Sequence, residues 1–255
     1  ILQGREFMKG HVKSIQWGKG IVKTIETYTI LDSTNEFAKH FIKSGGASGT
    51  VIWALRQTAG RGRLGRRWDS DPSSLTFSLV WQCPDKSIPQ NLTHAIGLGI
   101  VQSLEVCVPE IKVKWPNDLW IAGKKLGGIL GESMHAAGRL WIILGIGLNV
   151  NSSPGAEQEQ RISLREVTGC LWPRLAILDL ALLGLERGFE LARSGQELAS
   201  LFRHYGNFLD RPIQIYQGGQ VYRAIARDVL PDGRLVIEDA RGRRALLPEE
   251  ISVRF

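Results

Sequence analysis

The sequence predicts a larger domain of mixed α and β structure followed by a small β-barrel, and three observations predict it. Strand-type apolar runs alternate with helical patterns up to about residue 208. From Pro212 the texture changes to short β-type runs, PIQIY, VYRAIARDVL, RLVIED, RALLP and ISVRF, separated by Gly218-Gly219, Pro231-Asp232-Gly233 and Arg241-Gly242. Those separators are hairpin signals, and closely spaced strands of this kind read as a barrel. The length, 255 residues, suits one domain of about 150–200 residues plus a small one. The expected division is an N-terminal extension at 1–20, a main domain at 21–208 and a barrel at 209–255, with the boundary near Asn207–Asp210.

Residues 1–7 precede Met8, one of two methionines, and read as a vector-derived remnant. Residues 21–31 (IVKTIETYTIL) read as extended. Ser33 to Glu36 fits an S-x-x-E capping box that opens a helix running to about Ser44, and Gly45-Gly46 supply its stop. Val51–Leu55 and Leu75–Gln82 are strand-like. Between them, Gly60 to Ser74 is too rich in glycine and arginine for either regular element and is expected to be a loop. Leu92–Val108 has helical spacing, Ile111–Trp115 reads as a strand ended by Pro116, and Lys125–Met134 and Leu140–Val150 read as strands. Pro173 precedes a helix from Leu175 to about Ala192, and a second follows near Gln196–Phe208.

Composition excludes more than it selects. No apolar run approaches the roughly 20 residues that a membrane-spanning helix needs, and the first dozen residues lack the apolar core of a signal peptide. The cysteines, Cys83, Cys107 and Cys170, have neither CxxC nor zinc-site spacing and read as reduced thiols of a cytoplasmic protein. The formal charge of +7 fits nucleic acid, an acidic protein or a phosphorylated small molecule. Five arginines, Arg56, Arg61, Arg63, Arg66 and Arg67, fall within twelve positions.

Four motifs carry chemistry. In QTAGRGRLGRRW (57–68) glycines let the backbone approach a ligand while guanidiniums offer forks for phosphate or carboxylate. A nucleic-acid tail is the other reading, but this segment lies between two apolar strands, and no GK[ST] makes it a Walker loop. KWPND (114–118) releases an ammonium, an amide and a carboxylate from a strand end; Lys114 suits phosphate and Asp118 suits magnesium. GKKLGGIL (123–130) projects lysines from a turn. GIGLNVN (145–151) offers Asn149, whose donor and acceptor suit a purine edge. Each of the last three, alone, is also an ordinary polar turn.

With LDSTNEF (31–37), these five stretches resemble the biotin–protein ligase family in content, order and spacing. The resemblance implies an α+β fold, with a mixed-sheet class II synthetase-like catalytic domain at 21–208 followed by an SH3-like β-barrel at 209–255. It implies ATP-dependent formation of biotinyl-5'-AMP and transfer of biotin to a lysine of a biotin carboxyl carrier protein, with ATP and biotin as substrates and Mg²⁺ as the ion. Ser33, Thr34, Asn35 and Gln57 then line the biotin site, with Arg61, Gly62, Arg63 and Lys125. Arg63, Trp68, Asn117 and Asn149 bind the nucleotide, Trp68 packing on adenine. Lys125, Arg63, Lys114 and Asp118 are the expected catalytic residues, and Asp118 the magnesium ligand. Leu64 departs from a frequent arginine and Gly127 from a frequent alanine; neither removes an assigned charge.

Counted from Met8, about two dozen residues precede the Ser-Thr-Asn segment, fewer than the roughly 50–60 that a winged-helix DNA-binding domain needs. The expectation is a monofunctional cytoplasmic ligase, monomer or homodimer, without DNA or membrane binding. The alternatives are a lipoate–protein ligase of the same superfamily and a nucleic-acid-binding protein. Against the latter, the barrel segment has only Tyr216 and Tyr222 as tyrosines, a thin stacking platform.

Overall fold

β-branched and apolar runs form strands where patterning places them, because a pleated, half-buried surface suits such side chains. The computed structural model describes residues 10–18, 20–84, 87–152, 160–247 and 251–254; the suggested remnant at 1–7 and Met8 lie outside them. The first strands are β1 (His11–Gln16), β2 (Thr24–Tyr28), β3 (Thr50–Ala54) and β4 (Leu75–Gln82). Then come β5 (Lys112–Lys114), β6 (Asp118–Ile121), β7 (Lys124–Ala136) and β8 (Arg139–Leu148). The last five are β9 (Pro212–Gln217), β10 (Gln220–Val229), β11 (Leu235–Asp239), β12 (Gly242–Leu246) and β13 (Ile251–Arg254). The helices are α1 (Thr34–Lys43), α2 (Leu92–Leu104), α3 (Leu164–Thr168), α4 (Arg174–Arg193) and α5 (Gly195–Tyr205).

Two units result. The described parts of Ile1–Ile88 and Gly123–Leu182 form one, those of Pro89–Ala122 and Leu183–Phe255 the other. In the first, strands lie side by side in the order β1-β2-β3-β4-β8-β7. β2 and β3 are parallel and linked through α1, while the other neighbours are antiparallel. The sheet is therefore mixed. Helix α1 packs Phe37, Ala38 and Ile42 onto Tyr28, Ile52, Val80, Trp141 and Ile143. Burying a Phe or Ile side chain contributes about 1.5–3 kcal/mol each, so this face fixes the rotation of α1 about its own axis. Its N-terminal side chains are thereby aimed along the sheet.

The caps of α1 differ in part from expectation. Ser33 Oγ accepts from Glu36 N at 3.5 Å, one half of the predicted box. The Glu36 carboxylate is drawn instead to Lys39 and Arg61, and Asp32 Oδ1 takes the Ser33 N–H at 2.6 Å. At the other end Gly45 adopts φ +84°, a left-handed stop that glycine enters without a Cβ penalty.

In the second unit β5 and β6 form a short antiparallel hairpin. Helices α2 and α4 approach through Gly99, Gly184 and Gly188: a Cβ at Gly99 would stand 2.1 Å from the Gly184 carbonyl oxygen. The five C-terminal strands form an antiparallel sheet in the order β12-β11-β10-β9-β13. The fold is α+β, with a large mixed sheet and a separate small antiparallel one.

Three elements carry no expectation from the sequence. β1 is an exposed edge strand whose polar and apolar residues face solvent alike, so burial leaves no alternation to read. β6 has four residues. α3 has five, yet its signals are present: a full capping box between Ser163 and Glu166 and a left-handed Gly169.

Candidate active site

The first turn of α1 places Thr34 and Asn35 against β4 and β8. Gln57 follows β3, and its Oε1 accepts from Thr34 N at 2.7 Å and from Thr34 Oγ1 at 3.1 Å. Ser78 Oγ lies 2.7 Å from Thr34 Oγ1 and 2.6 Å from Asn35 Oδ1, its single proton serving one at a time. Asn35 Nδ2 donates to Glu132 Oε2 at 2.7 Å. The other Glu132 oxygen accepts from Lys39 at 2.7 Å, and Lys39 also donates to Glu36 at 2.8 Å. Arg61 completes the chain on Glu36 Oε1 at 2.7 Å. Gln57 and Arg61 are thus joined through six side chains.

Ser33, Thr34, Asn35, Gln57 and Ser78 are all buried, a placement that is tolerable because each has a hydrogen-bond partner. The Lys39 hydrogen bond, with the Arg61 charge beside it, holds the Glu36 carboxyl below the usual carboxylate range despite some burial. Burial alone would pull the Lys39 ammonium down, but Glu132 and Glu36 outweigh it and raise it. Ser78, Glu132 and Lys39 were not selected from the sequence. The signal for Ser78 is a hydroxyl in the middle of the apolar run LTFSLVW.

Two glycines of GIGLNVN have a job that composition concealed. A Cβ on Gly145 would stand 2.3 Å from Asn35 Oδ1, and one on Gly147 would stand 2.5 Å from Trp68 Cε2 and Cζ2. Missing side chains on β8 therefore make the seats for Asn35 and Trp68. Lys125 Nζ lies 5.7 Å from the Trp68 ring centroid.

The arginine segment is a folded loop. Gly62 N donates to Arg66 O at 2.7 Å and Trp68 N to Gly60 O at 2.9 Å, so its two legs pair. A 3₁₀ turn at Arg63–Gly65 forms the tip, with Leu64 at φ 56° and 68% exposed. At the base Arg174 donates to Leu55 O at 3.1 Å and Ser74 O at 3.2 Å, tying entry to exit. Burial pulls that guanidinium down, with Asp71 opposing, although arginine keeps its charge.

Asn149 is held by the backbone of two neighbouring segments. Its Nδ2 donates to Lys125 O at 3.3 Å and Ile162 O at 3.1 Å. The donor half of the proposed purine reader is committed to the backbone, and the residue braces the Lys125 strand. The backbone on either side agrees: Lys125 N donates to Gln160 O and Ile162 N to Lys125 O.

The first unit thus assembles Ser33, Thr34, Asn35, Gln57, Arg61, Gly62, Arg63, Trp68, Lys125 and Asn149. Lys114, Asn117 and Asp118 belong to the second unit, on one hairpin. Lys114 and Asp118 pair across β5 and β6, and Lys114 Nζ stands 4.0 Å from the Trp120 ring centroid, a cation–π distance. Trp115 in the same motif donates from Nε1 to Gly233 O at 2.9 Å. Among the described residues no cluster of three or more His, Cys, Asp or Glu is arranged to hold a metal. The three cysteines are free, and burial raises the Cys83 and Cys107 thiols, as suits unreactive groups. No helix among the described residues is long and apolar enough to cross a membrane.

Comparison with known proteins adds the following. The family described as Biotin/lipoate A/B protein ligase family matches residues 27–149. A biotin–[acetyl-CoA-carboxylase] ligase of Mycobacterium tuberculosis is 32% identical over 208 residues, 78% of this chain and 76% of that protein. The bifunctional ligase/repressor BirA of Bacillus subtilis is 33% identical over 171 residues, 64% of this chain and 52% of its own length. The matched part thus spans about half the length of the Bacillus relatives. A biotin protein ligase from Aquifex aeolicus, solved with biotin and ATP, superposes with a TM-score of 0.75 at 29% identity, covering 90% of this chain and 98% of that one.

Proposed function

The chain belongs to the biotin–protein ligase family, and from that premise we propose that it joins biotin to ATP as biotinyl-5'-AMP. It then passes biotin to a lysine of a biotin carboxyl carrier protein domain in the cytoplasm. The observation that carries this reading is the hydrogen-bonded chain from Gln57 through Thr34, Ser78 and Asn35 to the Glu36–Arg61 pair. It links the uncharged polar groups assigned to biotin with the arginine loop assigned to the adenylate. The solved Aquifex relative, with biotin and ATP bound, supports the same pair of substrates.

The chemistry needs positioning and charge more than covalent help. A carboxylate oxygen of biotin attacks the α-phosphorus of ATP, the bond to the β-phosphate oxygen breaks, and pyrophosphate leaves. Two anions must approach, so preorganised cations lower the barrier. Lys125, Arg61 and Arg63 supply them in the first unit, and Lys114 on the KWPND hairpin. Gln57, Ser33, Thr34 and Asn35 orient biotin, and Trp68 offers its face to adenine. Asn149 serves by fixing the Lys125 strand, and Asn117 is assigned to the nucleotide. In the second step the carrier lysine amine attacks the anhydride carbonyl and AMP departs, while the loop shields the anhydride from water.

Asp118 is the carboxylate proposed for Mg²⁺. A single carboxylate fits the ion's habit of binding through one or two carboxylates plus substrate phosphates. The ion would neutralise phosphate charge there.

The test is an adenylation assay with biotin and lipoate in parallel, each with ATP and a carrier domain. Biotinyl-AMP, pyrophosphate and a biotinylated carrier are expected; an adenylate formed from lipoate and not from biotin would overturn the choice of acid.

A further inference from the structure

One ion pair on the rim of the site is absorbed by none of the roles above. Asp69, directly after Trp68, accepts from Arg161 at 2.9 Å through Oδ2 and pairs with Arg67 Nε at 3.2 Å through Oδ1. Arg161 does not lie on the loop. It forms an isolated parallel bridge with Lys125, and its neighbours Gln160 and Ile162 hold the Lys125 backbone from both sides. Asn149 reaches the same place from β8, donating to Ile162 O and Lys125 O. The exit leg of the arginine loop is therefore joined to the strand that carries Lys125, and the Trp68 ring, seated over Gly147, lies 5.7 Å from Lys125 Nζ.

We propose that Asp69 and Arg161 form a clasp that holds Trp68 in register with Lys125, making them positioning residues for the nucleotide half of the site. The inference rests on the biotin–protein ligase reading. Three features argue for positioning over plain stability. The side chains are 44% and 32% exposed, and ion pairs that far into solvent contribute little to folding. The pair spans 92 positions of sequence and links the two pieces of backbone that present Trp68 and Lys125. The hydrogen-bonded chain that holds Thr34, Asn35 and Gln57 does not include either residue. A disturbance here should therefore reach ATP and spare biotin.

The experiment uses the full chain with biotin, ATP and an excess of carrier domain, so that turnover continues, and follows pyrophosphate release. Wild-type adenylation is measured first; its absence would defeat the ligase reading and is distinct from any result for the clasp. Asp69→Asn and Arg161→Gln should each raise KM for ATP about fivefold, in keeping with the loss of one exposed ion pair. KM for biotin and the melting temperature should hold. The double variant should be no worse than Asp69→Asn alone, since the Arg161 contact is already lost there, and Arg161→Lys should recover most of the loss. An unchanged KM for ATP, equal increases for both substrates, or additive losses in the double variant would overturn the proposal. If Arg161→Gln fails to fold, Asp69→Asn and Arg161→Lys carry the same comparison.

Discussion

Alanine at Gly147 should damage ATP binding, and alanine at Gly145, two residues earlier on the same strand, should damage biotin binding. A new Cβ at Gly147 would stand 2.5 Å from two Trp68 ring atoms, and one at Gly145 would stand 2.3 Å from Asn35 Oδ1. Ordinary contact begins near 3.4 Å, so each neighbour must retreat by about 1 Å. Trp68 would lift off β8 away from Lys125. Asn35 would be pushed from Ser78 and Glu132, leaving buried polar groups short of partners. Overpacking of this kind costs about 1–3 kcal/mol, and an orphaned buried polar group about as much. Gly→Ala gains only about 0.4–1 kcal/mol through the unfolded chain, so the losses win at both positions. At about 1.4 kcal/mol per factor of ten, KM should rise roughly tenfold for ATP in Gly147→Ala and for biotin in Gly145→Ala. Steady-state pyrophosphate release in the presence of excess carrier domain, with each substrate varied in turn, reads both constants. Equal effects on the two substrates in both variants would refute the assignment of the two glycines to two halves of the site.

Other predictions follow from the same geometry. Lys125→Ala should abolish adenylate formation while melting within a few degrees of wild type, because a half-exposed lysine adds little stability; unchanged turnover would remove Lys125 from the chemistry. Tyr205 is buried, and burial first, then its 2.7 Å hydrogen bond to Glu105, pushes its phenol up to about 12. Because the folded value lies above the ordinary one, its contribution is full below pH 10 and is lost between pH 10 and about 12. Denaturant titrations should show the stability advantage of wild type over Tyr205→Phe shrinking across that window; a constant difference would contradict it.

The fold was legible where one face of an element is buried and the other is not. Leu75–Gln82 appears as a strand with its expected ends, and the helix after Ser33 begins at its cap. Solvent-washed β1 left no pattern to read. The site was legible as an ordered set of motifs, because chemistry-bearing residues are dense within each. What the motifs could not disclose is how they join. Ser78, Glu132, Arg174 and Arg161 act through contacts with residues 44, 97, 119 and 92 positions away, separations over which local periodicity carries no information. Asn149 illustrates the limit from the other side. Its donor and acceptor suggest a purine edge, and the motif gave no sign that Nδ2 also donates to a backbone carbonyl on each of two neighbouring segments. The glycines of GIGLNVN had no reading from the sequence: Gly145 and Gly147 receive Asn35 and Trp68, two side chains of the protein itself.

The central claim is that this chain activates biotin on ATP, and one measurement tests it most directly. The full chain is incubated with biotin and α-labelled ATP, without carrier, and the protein-bound products are resolved. The account expects one labelled biotinyl-AMP per active site, with pyrophosphate released in equal amount. ATP left intact, or hydrolysed to AMP without biotin attached, would contradict it.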